Sequence, residues 1–572
     1  MERYRRSYLN ADELYGCPHR FLLDKVADHS LVLDKPAPPI GIQHRRAMSA
    51  ARTDNIYLQL AEQPGTVLIG DGPDAVGATL QAIREQTPII CNATLPADDI
   101  AERASASCIL MRSPDAADPY TYTPVITVNH KVYDIRPQKA PRPPRIPLEN
   151  LARPSLIPHS SPLNRWDPTP NPDLKLRHHT RDQLRLTHLW LLMENVGIPN
   201  TGQGGVIDLR GELAVVHWIN ESLPNYLDNY RARKALLDQV VQDVAPYALD
   251  RLPTRSCRRA ECHVCGWWES RCRDELQARQ DVSLVVSASQ ADALARENIY
   301  TIAQLAAPDV MEPDDWPGKS FHTAVALARA HQQGYTLVRK GPDHDLPPVD
   351  VEIDIDMESV LDNGAYLWGT LLSYRTEDIA QRIGVTPGYT PFVTWKKLPD
   401  RSTAAVFVQM WKWLTGVWRR VDEEGLTFRV YCYAQQGERQ WIRSNVKRFP
   451  DQLGMPRARE VRALLNSEHW VDMFRVVEKT LLGVRGLGLK KVAPVAGFQW
   501  RDEDPSGESS IAWHALATEP TYPNEEVQQR ILAYNEDDVR ATKAIREWLR
   551  SGVWKQQLPL REDLLHDTVL SE

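Results

Sequence analysis

The chain reads as a multidomain α/β protein whose last large segment, residues 348–552, is built on a mixed sheet. Three observations predict this. Its 572 residues exceed what one hydrophobic core organises, and chains of this length divide into several domains. The segment DVEIDIDMES, residues 350–359, alternates acidic and apolar residues with the period of two that a strand imposes. The segment from about Asn524 to Leu549 carries its apolar residues at helical spacing.

Hydrophobic content of 42% and charged content of 25% are those of an ordinary globular protein, so disorder is expected only locally. The opening MERYRRSYLNADEL has no apolar stretch of the signal-peptide kind, and no run of 18 apolar residues follows. The expectation is therefore a cytoplasmic protein that does not enter a membrane. A net charge of -7 excludes a surface broadly coated with basic residues. Any binding of nucleic acid would come from local clefts or from bound metal ions.

Residues 1–280 read as one α/β domain that contains a proline-rich segment, 137–172, and a cysteine cluster. Eleven prolines between Pro137 and Pro172 fix backbone dihedrals and remove amide donors, which predicts a linker or extended arm. A helix is expected from Arg181 to Glu194, and GGVIDLRGELAVVHWI reads as two short strands around a turn at Arg210 and Gly211. Residues 281–340 form a helical connector: SQADALAREN and TIAQLA flank a tight connection at Ile299 and Tyr300, like a helix-hairpin-helix. From Pro348 the order is strand, a turn at LDNG, strand AYLWGTLLS, strand YTPFVTWKK, a helix from Ser402 to Arg419, and strand FRVYCYA. Residues 553–572 are expected as a C-terminal tail.

In the acidic strand, Asp350, Glu352, Asp354, Asp356 and Glu358 point one way and Val351, Ile353, Ile355 and Met357 the other. Like charges at this spacing repel, so something cationic should neutralise at least the last of them, and hard divalent ions suit oxygen ligands. The plainer reading is an exposed edge strand with a solvated acidic face. A second motif, YNEDDVRAT, places Tyr534 and Asp538 four residues apart on one helix face.

Together these motifs resemble the DEDD superfamily of 3′ to 5′ exonucleases, whose first motif is Asp-x-Glu on the first strand and whose last is Tyr-x-x-x-Asp. Here these are Asp356, Glu358, Tyr534 and Asp538. The succession of three strands, helix and strand is the RNase H order. The resemblance implies two Mg²⁺ or Mn²⁺ ions held by Asp356, Glu358 and Asp538, with Tyr534 orienting the attacking water. The middle motif of the family places a carboxylate just after the fourth strand, where this chain has Glu438 in VYCYAQQGERQW instead of the commoner aspartate. Asp472 in HWVDMFRVV is the competing candidate, its plainer reading being a helix N-cap. Lys490 and Lys491 in GLGLKKVAP are weak candidates for phosphate contacts.

Four of the eight cysteines lie between residues 257 and 272, which suggests a metal centre. Cys262-x2-Cys265-x6-Cys272 needs a fourth thiolate, and Cys257 would complete a zinc ribbon. The opening LNADELYGCPHRFLL, however, resembles that of RecB-like nucleases, including CRISPR-associated ones, in which one early and three late cysteines bind a 4Fe-4S cluster. That resemblance implies Cys17, Cys262, Cys265 and Cys272 as ligands and leaves Cys257 out. Cys91, Cys108 and Cys432 read as small core residues.

A RecB-like, PD-(D/E)XK restriction-endonuclease-type site also needs an acidic residue on an early helix, an aspartate after a strand and a Glu-x-Lys or Asp-x-Lys on the next. Here those places hold Gln43, His44 and Arg45, then Ser107 or Cys108, and then Lys131 without a carboxylate two residues earlier. The first half therefore reads as a degenerate nuclease scaffold. Almost the whole chain, least so residues 30–100, resembles the bacterial family that joins a RecB-like N-terminal domain to a DEDD exonuclease domain, which implies phosphodiester hydrolysis at the ends of DNA or RNA. The alternative is an inactive nucleic-acid-binding scaffold made of two decayed nucleases.

Overall fold

A computed structural model describes residues 8–28, 35–38, 40–135, 158–243, 252–318, 320–341, 346–360, 363–502, 509–519 and 524–566. The chain divides into two compact units: residues 1–38, 42–256 and 264–267 form the first, and residues 39–41, 257–263 and 268–572 the second.

The first unit is centred on an eight-stranded mixed sheet. Strands Ile89–Leu95, Ala106–Arg112 and Tyr122–Thr127 run as an antiparallel meander, and Gln203–Ile207 joins Tyr122–Thr127 in parallel. Strand alternation sends Ile90, Cys108, Leu110 and Ile126 to one face, where Leu186, Leu189 and Leu192 of helix Thr180–Asn195 cover them. Ile89, Cys91, Ile109 and Met111 face the other way, onto Ile56 and Leu60 of helix Ile40–Ala61. The expected hairpin is present as Gln203–Ile207 and Ala214–Trp218, turning at Gly211 with φ +67°. Of the proline-rich segment, 137–157 lies outside the described residues. Residues 158–172 contribute two short strands, His159–Ser161 and Thr169–Pro170, at one end of the sheet.

In the second unit a five-stranded sheet has the order Gly388–Val393, Gly364–Tyr374, Val351–Val360, Phe428–Cys432, Trp470–Asp472. The first three strands are antiparallel, and the last two add in parallel. Val351, Ile353 and Ile355 pack on Phe407, Met410, Trp411 and Leu414 of helix Ser402–Glu423, the apolar side of the alternation. The long helix Glu525–Ser551, capped at its start by the Asn524 side chain, lies over the acidic side.

Several elements depart from the sequence expectation. A short helix, Glu377–Ile383, interrupts the path from the second to the third strand and ends at Gly384, whose φ of +65° suits a left-handed C-cap. Residues 553–566 are not a loose tail. They form helices Trp554–Gln557 and Arg561–His566, because Trp554, Leu558 and Leu564 are apolar side chains that find cover in the adjoining cores. The connector helices are Ala288–Arg296 and Ile302–Ala306, each opened by a capping box, at Ser287 and Thr301. They belong to the second unit and pack with Phe321–Gln332. Among the described residues no helix is long and apolar enough to cross a membrane.

Candidate metal centre

The acidic strand does not lie at a solvated edge; it is the central strand of its sheet. Its five acids meet different partners as the strand is followed from its start. Asp350 accepts hydrogen bonds from the Thr427 amide at 2.9 Å and hydroxyl at 2.7 Å, and these hold its carboxyl below the usual range. Glu352 is paired with Arg550 at 2.6 Å and Arg546 at 2.9 Å, and Asp354 with Arg546 at short range. The Arg546 guanidinium is fully buried and sits 4.4 Å from the centre of the Tyr431 ring. Both arginines come from the long C-terminal helix.

The last two acids have a different environment. One ligand oxygen from each of Asp356, Glu358 and Asp538 lies within 4.8 Å of the others, a grouping able to hold a metal ion. The register of the central strand shifts between Glu358 and Ser359, and such bulges re-aim side chains next to functional sites. Burial, followed by the charges of Asp538, Glu358 and Glu438, pushes the Asp356 carboxyl well above its ordinary value. Asp538 is pushed up to about 6 by burial, against the pull of Lys490 and a hydrogen bond from Trp500. Crowded buried carboxylates of this kind are stable as anions only with a cation among them.

Neutral groups hold the trio in place. The Asn535 amide donates to Asp356 at 2.7 Å, and the Tyr389 hydroxyl donates to the Asn535 carbonyl oxygen at 2.8 Å. Gly369 faces Asp356 on the neighbouring strand, and a Cβ there would come 1.6 Å from the Asn535 side-chain oxygen. The indole of Trp500 donates to Asp538 at 2.7 Å. Asp537, next in sequence to Asp538, instead receives Arg501 at 2.8 Å and takes a structural part.

Tyr534 is buried, with Trp513 set edge-on against its ring. Its hydroxyl is pushed upward by burial and then by Asp538, and it contacts the Lys490 ammonium, which lies 4.5 Å from the ring centre. Lys490 is thus drawn into the site, whereas Lys491 is exposed. Glu438 is buried on the first turn of helix Gln436–Arg448 and pushed up to about 8, chiefly by burial. It lies outside the group of three, although its charge acts on Asp356. Asp472 caps helix Met473–Thr480 by accepting from the Phe474 amide, and it also accepts from Ala434. Those two bonds make it a turn-holding residue. Asn535, Trp500, Tyr389 and Gly369 carried no signal in the sequence, apart from the adjacency of Asn535 to Tyr534.

At the cysteines, the Cys17 sulfur accepts from the Arg20 amide at 3.4 Å and the Cys262 sulfur from the Arg259 amide at 3.3 Å. All eight cysteines are free of disulfides. Cys257 packs against an apolar cluster and its thiol is pushed up to about 11 by burial. Cys91, Cys108 and Cys432 are core residues, as expected. Gln43, His44 and Arg45 lie on helix Ile40–Ala61, Ser107 and Cys108 on strand Ala106–Arg112, and Lys131 follows strand Tyr122–Thr127.

A mixed sheet with the order 3-2-1-4-5 and a carboxylate trio between its central strand and its last long helix defines an RNase H-like domain. Residues 435–550 match the RNase_H_2 family of the RNase_H superfamily. The match takes in Glu438, Asp472, Lys490, Tyr534 and Asp538 and begins after the acidic strand. No curated protein and no solved structure matches the chain. The domain points to a nuclease-type function in nucleic-acid processing.

Proposed function

We propose that the second unit is a metal-dependent 3′ to 5′ exonuclease acting on free ends of DNA or RNA. The observation that carries this reading is the convergence of Asp356, Glu358 and Asp538 within 4.8 Å at a place where no arginine is paired with Asp356 or Asp538 among the described residues. A pair of Mg²⁺ or Mn²⁺ ions bound there would supply an activated water and charge stabilisation at the leaving 3′ oxygen. Asp356, Glu358 and Asp538 hold the ions, and Glu438 is the fourth acid. Tyr534 orients the attacking water. Its phenol is a poor base at neutral pH, and burial raises it further. Lys490, in contact with Tyr534 and close enough to act on the Asp538 carboxyl, is suited to meet a phosphate oxygen.

The test is to incubate the purified chain with end-labelled single- and double-stranded DNA and RNA in Mg²⁺, Mn²⁺ or EDTA. Stepwise shortening from the 3′ end that EDTA and Asp356→Asn both abolish is the expected result. Internal cuts, or cleavage that survives both, contradict it, and binding without any cleavage favours the inactive scaffold.

For the first unit the reading is a degenerate RecB-like scaffold, supported by the non-acidic residues at its expected catalytic places. We also propose a 4Fe-4S cluster on Cys17, Cys262, Cys265 and Cys272. Amide hydrogen bonds to the Cys17 and Cys262 sulfurs suit thiolate ligands, and the apolar surroundings of Cys257 suit a bystander. Elemental analysis should find iron and sulfide, lost in Cys262→Ser; zinc without iron would favour the ribbon. A cytoplasmic setting accords with such a cluster.

A further inference from the structure

The first unit holds a second group able to bind a metal, unrelated to the acids that its sequence lacks: His130, His179 and Asp182 each offer a ligand atom within 4.8 Å of the other two. We infer that these three side chains form a binding site for a divalent transition metal such as Zn²⁺.

The donor set is two imidazoles and one carboxylate, which suits zinc or iron(II) and leaves coordination positions for water or a ligand. Local structure brings the three together. His179 is the N-cap of helix Thr180–Asn195, Asp182 stands three residues on, and His130 lies just beyond strand Tyr122–Thr127. The imidazoles of His130 and His179 have centroids 4.1 Å apart.

Two further observations point to a cation. The Asp182 carboxylate is only 4% exposed, and its one ion-pair partner among the described residues is His130, Nε2 to Oδ2 at 2.7 Å. A carboxylate so enclosed is costly to bury unless a cation or a hydrogen-bond donor stands beside it. The second is the orientation of His179. Its Nε2 is 3.1 Å from the Lys131 carbonyl oxygen. A carbonyl only accepts, so this nitrogen carries the hydrogen and Nδ1 keeps its lone pair for the site. A backbone carbonyl fixing the second ring nitrogen is the usual support of a metal-bound histidine. The His130 side chain is 39% exposed, so an ion can reach the group from solvent.

The experiment is zinc titration by calorimetry into the full chain carrying Asp356→Asn and Asp538→Asn, which disables the acidic centre. His130→Ala and Asp182→Asn are then added singly, and circular dichroism checks each fold. The expected result is that one Zn²⁺ equivalent is lost, or bound at least about tenfold more weakly, in both variants. Zinc held by cysteines persists in parent and variants alike and cancels. Co²⁺ gives a second readout: in difference spectra, weak visible bands of nitrogen and oxygen ligation should appear in the parent and vanish in His130→Ala, while absorption from the cysteine centre is the same in both and cancels. Should Asp182→Asn fail to fold, His130→Ala, at the exposed rim, decides alone. Equal zinc affinity and equal Co²⁺ bands in the parent and a folded His130→Ala overturn the inference.

Discussion

The two ends of the acidic strand carry the same chemistry on the same face and meet opposite surroundings. Asp350 and Glu352 are held below their ordinary range by Thr427 and by Arg550 and Arg546, and Asp354 is paired through one oxygen with Arg546, although burial still lifts its carboxyl to about 6. Asp356 and Glu358 face a further acid, Asp538, with Glu438 adding to the charge. One strand thus carries two arrangements of buried negative charge: acids paired with cations on the neighbouring helix, and acids grouped so that they could hold a metal ion. The first half anchors the long helix; the second half uses that anchorage to bring Asp538 opposite Asp356.

Breaking the second half should have the largest effect. Asp538→Asn keeps the volume and removes one charge of the proposed metal centre, and on the proposed mechanism a loss of several kcal/mol in transition-state stabilisation corresponds to about a 10³-fold fall in nuclease rate. Single-turnover assays with matched dichroism spectra would measure it. Breaking the first half should cost stability instead: Arg546→Met leaves Asp354 without its cation in a fully buried place, a loss of about 3–5 kcal/mol, read by urea denaturation. Gly369→Ala should have a smaller effect, on both stability and activity. Its methyl must displace the Asn535 amide, costing about 1–3 kcal/mol and reducing activity through the misplaced Asp356 carboxylate.

The smallest effect is a pH slope. The Glu438 and Asp538 carboxyls have folded values raised to about 8 and about 6. A carboxyl raised in the folded state favours folding below its unfolded pKa of about 4 and loses that contribution as pH rises through the folded value. Metal-free protein should therefore weaken between about pH 4 and pH 8. Glu438→Gln should flatten the slope in its upper part, and an unchanged slope would remove Glu438 from the crowded group.

How much of this was legible beforehand follows from the range of each interaction. The period-two pattern of residues 350–359 and the four-residue spacing of Tyr534 and Asp538 are local, and both mark faces that the fold retains. The partners of those faces are remote. Arg546 lies 192 residues from Asp354, and Asn535 lies 179 from Asp356, so nothing in either segment announces the pairing. The helix Glu377–Ile383 went unread because seven residues between two strong strand patterns carry little periodic signal. The folded end, residues 553–566, leaves little trace in the sequence because its apolar residues are sparse and are buried by other elements. The His130, His179 and Asp182 group was invisible for a further reason: its members have no spacing in common, and a turn and a helix cap bring them together.

On the proposed function, Asp356 and its neighbours await metal as Asp354 and Glu352 receive arginine. Thermal unfolding of the chain at pH 8, with and without Mg²⁺, tests this directly in wild type and Asp356→Asn. Mg²⁺ should raise the wild-type Tm and leave that of Asp356→Asn nearly unmoved, because a ligand stabilises only the state that holds it. An equal rise in both proteins, or none in the wild type, would contradict the account.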